Sequence, residues 1–180
     1  MRTLKSHGKL EELTYELGRY QWEFVGLSEV RWTGIGEIST DEGHKIWFSG
    51  HDTSHQQGVA IIVRKEISNS VISCTPVSSR LIAIRVAASP MNLTIIQVYA
   101  PTSDYSDEEV EEFYEQLKEI IAKTPKKDMT IVLGDWNAKV GPDAYSIWPG
   151  TVGRFGWGDT NDRGQRLLEF AQKHQLTLAN

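Results

Sequence analysis

Asn92-Leu93-Thr94-Ile95-Ile96-Gln97-Val98-Tyr99-Ala100-Pro101-Thr102 reads as a β-strand that ends in polar chemistry. Leu, Ile and Val fill the run, and Pro101 closes it with Tyr99 and Thr102 at its C-terminal end. Before it, Arg80 to Val86 passes through Leu81, Ile82, Ala83 and Ile84, and the turn Ser89-Pro90-Met91-Asn92 joins the two runs as an antiparallel hairpin. After it, Ser106 with Glu109 three residues on forms a capping box. Val110, Phe113, Leu117, Ile120 and Ile121 then share one helical face until Pro125 stops the helix. Met129 to Leu133 is the next apolar run, expected as a buried strand, with Gly134-Asp135-Trp136-Asn137 at its end. A hairpin, a helix and a further strand in succession point to a layered α/β or α+β domain: two sheets packed together with helices outside.

The flanking sequence extends the same pattern. Residues 8–23 repeat Leu10, Leu13, Leu17 and Tyr20 at helical spacing. Phe24-Val25-Gly26-Leu27-Ser28 is expected as a buried strand running into Glu29-Val30-Arg31-Trp32, and Gly34 and Gly36 signal a loop. His44 to Ser49 and Gly58 to Val63 are further strand candidates. Residues 141–162 carry Gly and Pro without a period and read as a long loop; Arg163 to His174 is a last helix, and Leu176 to Ala179 begins a strand. No repeat and no low-complexity linker divides the chain, so 1–180 reads as one domain.

Composition narrows the class. Of 180 residues, 39% are hydrophobic and 24% charged, the balance of a chain that buries a core rather than of a fibrous or disordered one. Val59 to Val63 is among the longest apolar runs and is far short of the roughly 20 residues a membrane span needs. Met1 to Leu17 is polar and charged, unlike a signal peptide, and the one cysteine, Cys74, can form no internal disulfide. These features favour a reducing, intracellular compartment, with Cys74 as a packed small side chain beside Ile72. Net charge is −5, but Asp104 to Lys123 alone carries eight acids and two lysines, which leaves the remainder at +1 and free to be locally basic. Acids on the outer face and at the start of a helix suit solvent and the helix dipole, so this charge run reads as a solvated face.

Three strand ends could carry chemistry, because a rigid sheet fixes positions while the following loops supply functional groups. Glu29 is a hard oxygen donor suited to Mg²⁺, which keeps several waters; a salt bridge to Arg31 serves the same carboxylate equally simply. Asp135 and Asn137, two apart, share one side of an extended chain and could orient a water and a phosphoryl oxygen; an Asx-turn built on Gly134 is the competing account. Tyr99 could donate to an oxyanion or simply pack, and Trp136 suits core or rim. His7, His44, His51, His55 and His174 show no zinc spacing, and no nucleophile elbow or P-loop is present.

The ordered set of segments Gly26-Leu27-Ser28-Glu29-Val30-Arg31-Trp32-Thr33-Gly34, Gly58 to Val63, Ile96-Gln97-Val98-Tyr99-Ala100-Pro101-Thr102, Gly134-Asp135-Trp136-Asn137-Ala138-Lys139-Val140-Gly141 and Asn161 to Phe170 resembles the exonuclease–endonuclease–phosphatase superfamily. More narrowly it resembles the apurinic-type endonuclease domain of non-LTR retrotransposons and the craniofacial development protein 2-like sequences. The resemblance implies a four-layered α/β sandwich, with two packed mixed sheets and outer helices, and cleavage of DNA phosphodiesters with Mg²⁺ or Mn²⁺. It matches Glu29 to the metal-binding glutamate and Tyr99 to the active-site tyrosine. Asp135 matches the aspartate that activates water, and Asn137 the asparagine on the scissile phosphate. Arg31, Asn161 and Arg163 fall where nucleic-acid contacts are expected.

The sequence departs from the family pattern at both ends. The strand bearing a Trp-Asn pair is expected before Met1, and a metal-linked aspartate and a Ser-Asp-His segment after Asn180; His55 and His174 do not fit that histidine's place. On this reading the domain is truncated at both ends and its nuclease activity impaired, with exposed edges inviting self-association. A DNA partner implies the nucleus, and retrotransposon relatives imply a fused reverse transcriptase. A phosphoesterase for small phosphates, or a non-catalytic developmental or binding protein on the same scaffold, are the alternatives. The mixture of Trp148, Arg154, Phe155 and Trp157 in the 141–162 loop suits DNA or covers core.

Overall fold

A computed structural model describes Leu4 and residues 8–179. Its elements run α1 (Lys9–Leu17), β1 (Phe24–Ser28), β2 (Ile35–Ser39), β3 (Lys45–Ser49), β4 (Val59–Val63), β5 (Val71–Ser78), β6 (Leu81–Val86), β7 (Leu93–Tyr99), α2 (Asp107–Lys123), β8 (Met129–Asp135), α3 (Ala144–Ile147) and α4 (Asp162–Lys173). The chain clusters into two compact units. The first runs to Tyr99 and takes in Glu119–Asp135; the second is Ala100–Lys118 with the chain from Trp136 onward.

The first unit holds both sheets. One has the order β1-β4-β3-β2 and the other β5-β6-β7-β8. The second sheet is mixed, since β6 and β7 are antiparallel, as the Ser89–Asn92 turn predicts, while β7 and β8 are parallel. The expectation of two mixed sheets is corrected for the first sheet, whose three strand pairs are all antiparallel. Helical crossovers are needed only for parallel neighbours, and the connections among β1 to β4 contain no helix.

The strand runs are apolar because the inner strands are covered twice. Val59, Ile61 and Val63 of β4 meet Ile82, Ile84 and Val86 of β6 and Ile95 and Tyr99 of β7 between the sheets. On the other face of β4, Ala60 and Ile62 join Ile46, packed by Leu10, Leu13 and Leu17 of α1. Leu81, Ala83, Ile96 and Val98 are buried as well, and the end of α2 within this unit, at Ile120 and Lys123, borders Ala83 and Thr94. The order is therefore helix, sheet, sheet, helix.

Edge strands account for the differences from the sequence expectations. β1 is half-buried throughout, and β8 leaves Met129 and Ile131 exposed, although both were expected as buried strands. Each lies at the edge of its sheet, so one side lacks a neighbour. Gly36 lies in a strand, not a loop: a side chain there would strike Phe48, and β2 pairs with β3 as the opposite edge. β5 carries Pro76 and two register shifts, both tolerated at an edge. Cys74 of β5 packs against the inter-sheet core, and burial pushes its thiol up to about 11, as fits a packing residue.

Asp128, just before β8, joins the ends of three segments. It accepts from Arg85 Nε at 2.6 Å, Arg85 Nη2 at 3.0 Å and Thr94 Oγ1 at 3.0 Å. The hydrogen bond from Arg85 holds its carboxyl below the ordinary value, against the effect of burial. A carboxyl depressed in the folded state stabilises the fold above its unfolded value of about 3.9 and loses that contribution as pH falls through the lower folded value. Asp128→Asn is expected to melt earlier at neutral pH. Its melting temperature should then fall less steeply than the parent's below about pH 4, where the parent alone must protonate this group. Parallel melting curves of parent and variant across that range would contradict the assignment.

In the second unit, α2 begins with the expected reciprocal capping box: Ser106 N donates to Glu109 Oε2 at 3.1 Å and Glu109 N to Ser106 Oγ at 3.3 Å. The 141–162 segment contains one short helix, α3, and Ala144, Val152 and Leu168 form a small core with Val140, Trp148 and Leu178. The expected strand near Leu176 amounts to a single bridge between Val152 and Leu178. Among the described residues no helix is long and apolar enough to cross a membrane.

Candidate active site

In the first unit the C-terminal ends of β1, β7 and β8 meet. Ser28 Oγ donates to Val98 O at 3.3 Å, which brings the end of β1 onto β7. Tyr99 and Asp135 are register partners at the ends of the parallel pair. Parallel strands end on the same side, so their last side chains gather there without further folding. The next residue after β1 completes the group: Tyr99 Oη donates to Glu29 Oε1 at 2.7 Å. Glu29, Tyr99 and Asp135 therefore stand together, from three separate strand ends.

The backbone around Glu29 is held against its preference. Glu29 has φ 58°, Arg31 φ 59° and Gln57 φ 60°, all in the left-handed region that non-glycine residues rarely enter. Val30 N donates to Gly58 O at 3.1 Å and Arg31 N to Gln57 O at 2.9 Å, and these bonds impose the conformation. His55 adds to it: its Nδ1 lies 3.0 Å from the Arg31 carbonyl, which can only accept, so that nitrogen carries the proton. Left-handed residues at 29 and 31 take the chain out of the extended conformation of β1 directly after Ser28.

Glu29 has two oxygens with different surroundings. Oε1 takes the Tyr99 hydroxyl, and Oε2 faces Arg31 Nη2 at 3.6 Å, a loose ion pair between side chains that are both more than a third exposed. Among the described residues no group of three or more His, Cys, Asp or Glu could cage a metal. One accessible carboxylate, its Oε2 held only by the loose Arg31 pair, is a donor set that fits Mg²⁺, which keeps most of its water and takes few protein ligands, and does not fit Zn²⁺.

Two neighbours of Tyr99 went unread in the sequence. Arg80 stacks its guanidinium 5.2 Å from the Tyr99 ring centroid and donates from Nη1 to Tyr99 O at 3.1 Å. Gln97 is 1% exposed, and Nε2 donates to Ser28 Oγ at 3.0 Å and Val98 O at 3.2 Å. A signal existed for Gln97, since it interrupts the inward-facing series Leu93, Ile95, Tyr99.

The remaining expected residues lie in the second unit. Asn137 has φ 46° and donates from Nδ2 to Ala100 O at 2.7 Å. Asn161 caps α4, accepting through Oδ1 from Gly164 N at 2.8 Å and from Lys139 N at 3.0 Å. Arg163 donates from Nη2 to Tyr105 O at 3.0 Å and lies 3.6 Å from Asp107. These three border one open cleft of about 450 Å³ together with Thr102, Ser103 and Lys139. His174, in the same unit, leans on Phe170 at 4.4 Å between ring centroids. Burial, with Lys173 and Lys118 nearby, holds its pKa below the ordinary imidazole value.

Residues 2–167 match the model of the Endonuclease/Exonuclease/phosphatase family. The chain belongs to that family. It is 42% identical over 173 residues to craniofacial development protein 2 of Bos taurus, covering 96% of this chain and 28% of the relative. This chain thus spans less than a third of that relative's length. The endonuclease domain of TRAS1, a telomere-specific non-LTR retrotransposon, superposes with a TM-score of 0.62 at 18% identity, over 99% of this chain and 70% of that domain. An endonuclease/exonuclease/phosphatase family protein from Leptotrichia buccalis gives 0.51 at 14% identity, over 90% of this chain and 80% of that one. These structural likenesses give the family fold of two packed sheets flanked by helices.

Proposed function

We propose that this chain is the phosphodiester-cleaving domain of a Mg²⁺- or Mn²⁺-dependent DNA endonuclease. The observation that carries the reading is the contact of Tyr99 with Glu29 beside Asp135, from three strand ends of a family fold. Glu29 would hold the metal through its carboxylate. A divalent ion bound there neutralises charge building on the phosphoryl oxygens.

The chain's own groups do the rest. Tyr99 fixes the Glu29 carboxylate by its hydroxyl bond, and Arg31 pairs loosely with the opposite oxygen. Asp135 accepts a proton from the attacking water as the water oxygen bonds to phosphorus; the bond to the 3′ oxygen breaks, and that oxygen leaves as a hydroxyl by taking a proton from solvent. Asn137, two residues on, is assigned a hydrogen bond to the phosphoryl oxygen, and Arg31, Asn161 and Arg163 the flanking backbone. DNA as substrate is supported by the likeness to a retrotransposon endonuclease domain and by the second unit's exposed Phe155 and Trp157, 84% and 92% accessible, with Arg154 beside them in sequence.

The test is nicking of supercoiled plasmid, with Mn²⁺ binding measured alongside by electron paramagnetic resonance. Nicking in Mg²⁺ is expected to be weak, to be lost with a chelator and to be lost in Glu29→Gln. Hydrolysis of a small phosphate monoester without nicking would shift the substrate to small phosphates. Failure to bind Mn²⁺ through Glu29 would overturn the metal-dependent reading and leave a binding scaffold.

A further inference from the structure

We propose that Gln97 and Ser28 form a buried strut that positions Glu29. Gln97 is a full carboxamide set into the apolar layer between the sheets, in line with Leu93, Ile95 and Tyr99. Packing gives no reason for an amide there. Its Oε1 meets no donor among the described residues, so the side chain is held by its nitrogen alone. That orientation is the sensible one, since Val98 O must meet an N–H and not another oxygen. An uncompensated acceptor is kept in the core, and the N–H pair is what it accompanies.

The pair's targets show what it does. One bond goes to Ser28 Oγ on β1 and the other to Val98 O on β7, while Ser28 Oγ itself donates to Val98 O. The three groups lock the last residue of β1 to β7. Glu29 follows Ser28, and Tyr99 follows Val98, so both partners of the 2.7 Å contact hang from this lock. It sits where β1 leaves its sheet for the left-handed turn at Glu29. Space is reserved for it as well: a Cβ on Gly26 would fall 1.8 Å from Gln97 Oε1 and 2.1 Å from Leu133 Cδ1.

Gln97 and Ser28 are positioning residues, acting on a metal only through Glu29, and the inference rests on the reading of Glu29 as its ligand. Gln97→Met keeps length and removes the polar atoms. Its Mn²⁺ affinity, read by electron paramagnetic resonance below the melting transition, is expected to fall about tenfold, within the range for groups that orient a ligand. Ser28→Ala should shift it the same way, Ser28→Thr should restore it, and the double variant should be less than additive. Ile84→Val thins the same inter-sheet core without touching the strut and should leave affinity unchanged, which separates positioning from general loosening. Where Gln97→Met does not fold, Ser28→Ala carries the test with Gln97 still in place. Parent-like Mn²⁺ affinity in the folded strut variants, with Glu29→Gln defective, overturns the strut and leaves the functional reading intact. Parent-like affinity in Glu29→Gln overturns the functional reading itself.

Discussion

Asp135→Asn is expected to slow Mg²⁺-dependent nicking by about 10²- to 10⁴-fold, the range contributed by one general base. The substitution is chosen for what it preserves. Asn has the shape of Asp and still offers an oxygen acceptor, so the pairing of Tyr99 with residue 135 across β7 and β8 has no reason to change. It replaces the oxygen that accepts the proton with an amide nitrogen that cannot. Mn²⁺ binding through Glu29 should survive, because Glu29 follows β1 of the other sheet and takes its hydrogen bond from Tyr99. Glu29→Gln should show the converse, losing metal affinity and nicking together. The two defects are expected to be far from additive, since each removes a member of one catalytic unit. Nicking within a few-fold of the parent in Asp135→Asn, at unchanged melting temperature, would remove Asp135 from the chemistry.

Much of this was legible in sequence because the inner strands repeat one simple physical pattern. Val59 to Val63, Leu81 to Ile84 and Ile95 to Val98 are covered on both faces, so the first two read as continuous apolar runs and the third as one broken only at Gln97. Their ends read as sites because polar groups follow abruptly. β2 and β5 were not legible: edge strands need neither alternation nor freedom from Gly and Pro, and theirs is carried by pairing with β3 and β6. The closeness of Glu29 and Tyr99 could not be read from spacing alone, because 70 residues separate them and the contact depends on how one sheet lies on the other. Resemblance supplied the expectation and the sheet packing supplies the geometry. Asn161 shows the reverse case. Its oxygen caps a helix, a duty that the Asn-Asp-Arg-Gly order announces locally, while the substrate contact proposed for it comes from its place in the family pattern alone.

Gly134→Ala tests whether the site's geometry is fixed by backbone approach rather than by side chains. Gly134 has φ 145°, and a Cβ there would lie 2.0 Å from Val98 O and within 3 Å of Val98 C and N. These are main-chain atoms of β7, so no rotamer change relieves the clash, and the two strands must separate where they carry Tyr99 and Asp135. The expected cost is about 3 kcal/mol or more, read from urea unfolding. Gly34 is the comparison: its φ is 71° but nothing lies within 4 Å of its would-be Cβ. Gly34→Ala should therefore cost only about 1 kcal/mol, from backbone conformation alone. The difference between the two variants isolates the close approach. If it is present, folded Gly134→Ala should bind Mn²⁺ through Glu29 less well, because Tyr99 would be displaced with β7. A Gly134→Ala variant as stable as Gly34→Ala would mean that β7 and β8 part at their ends without cost, and that the alignment of Tyr99 with Asp135 is not imposed by the sheet.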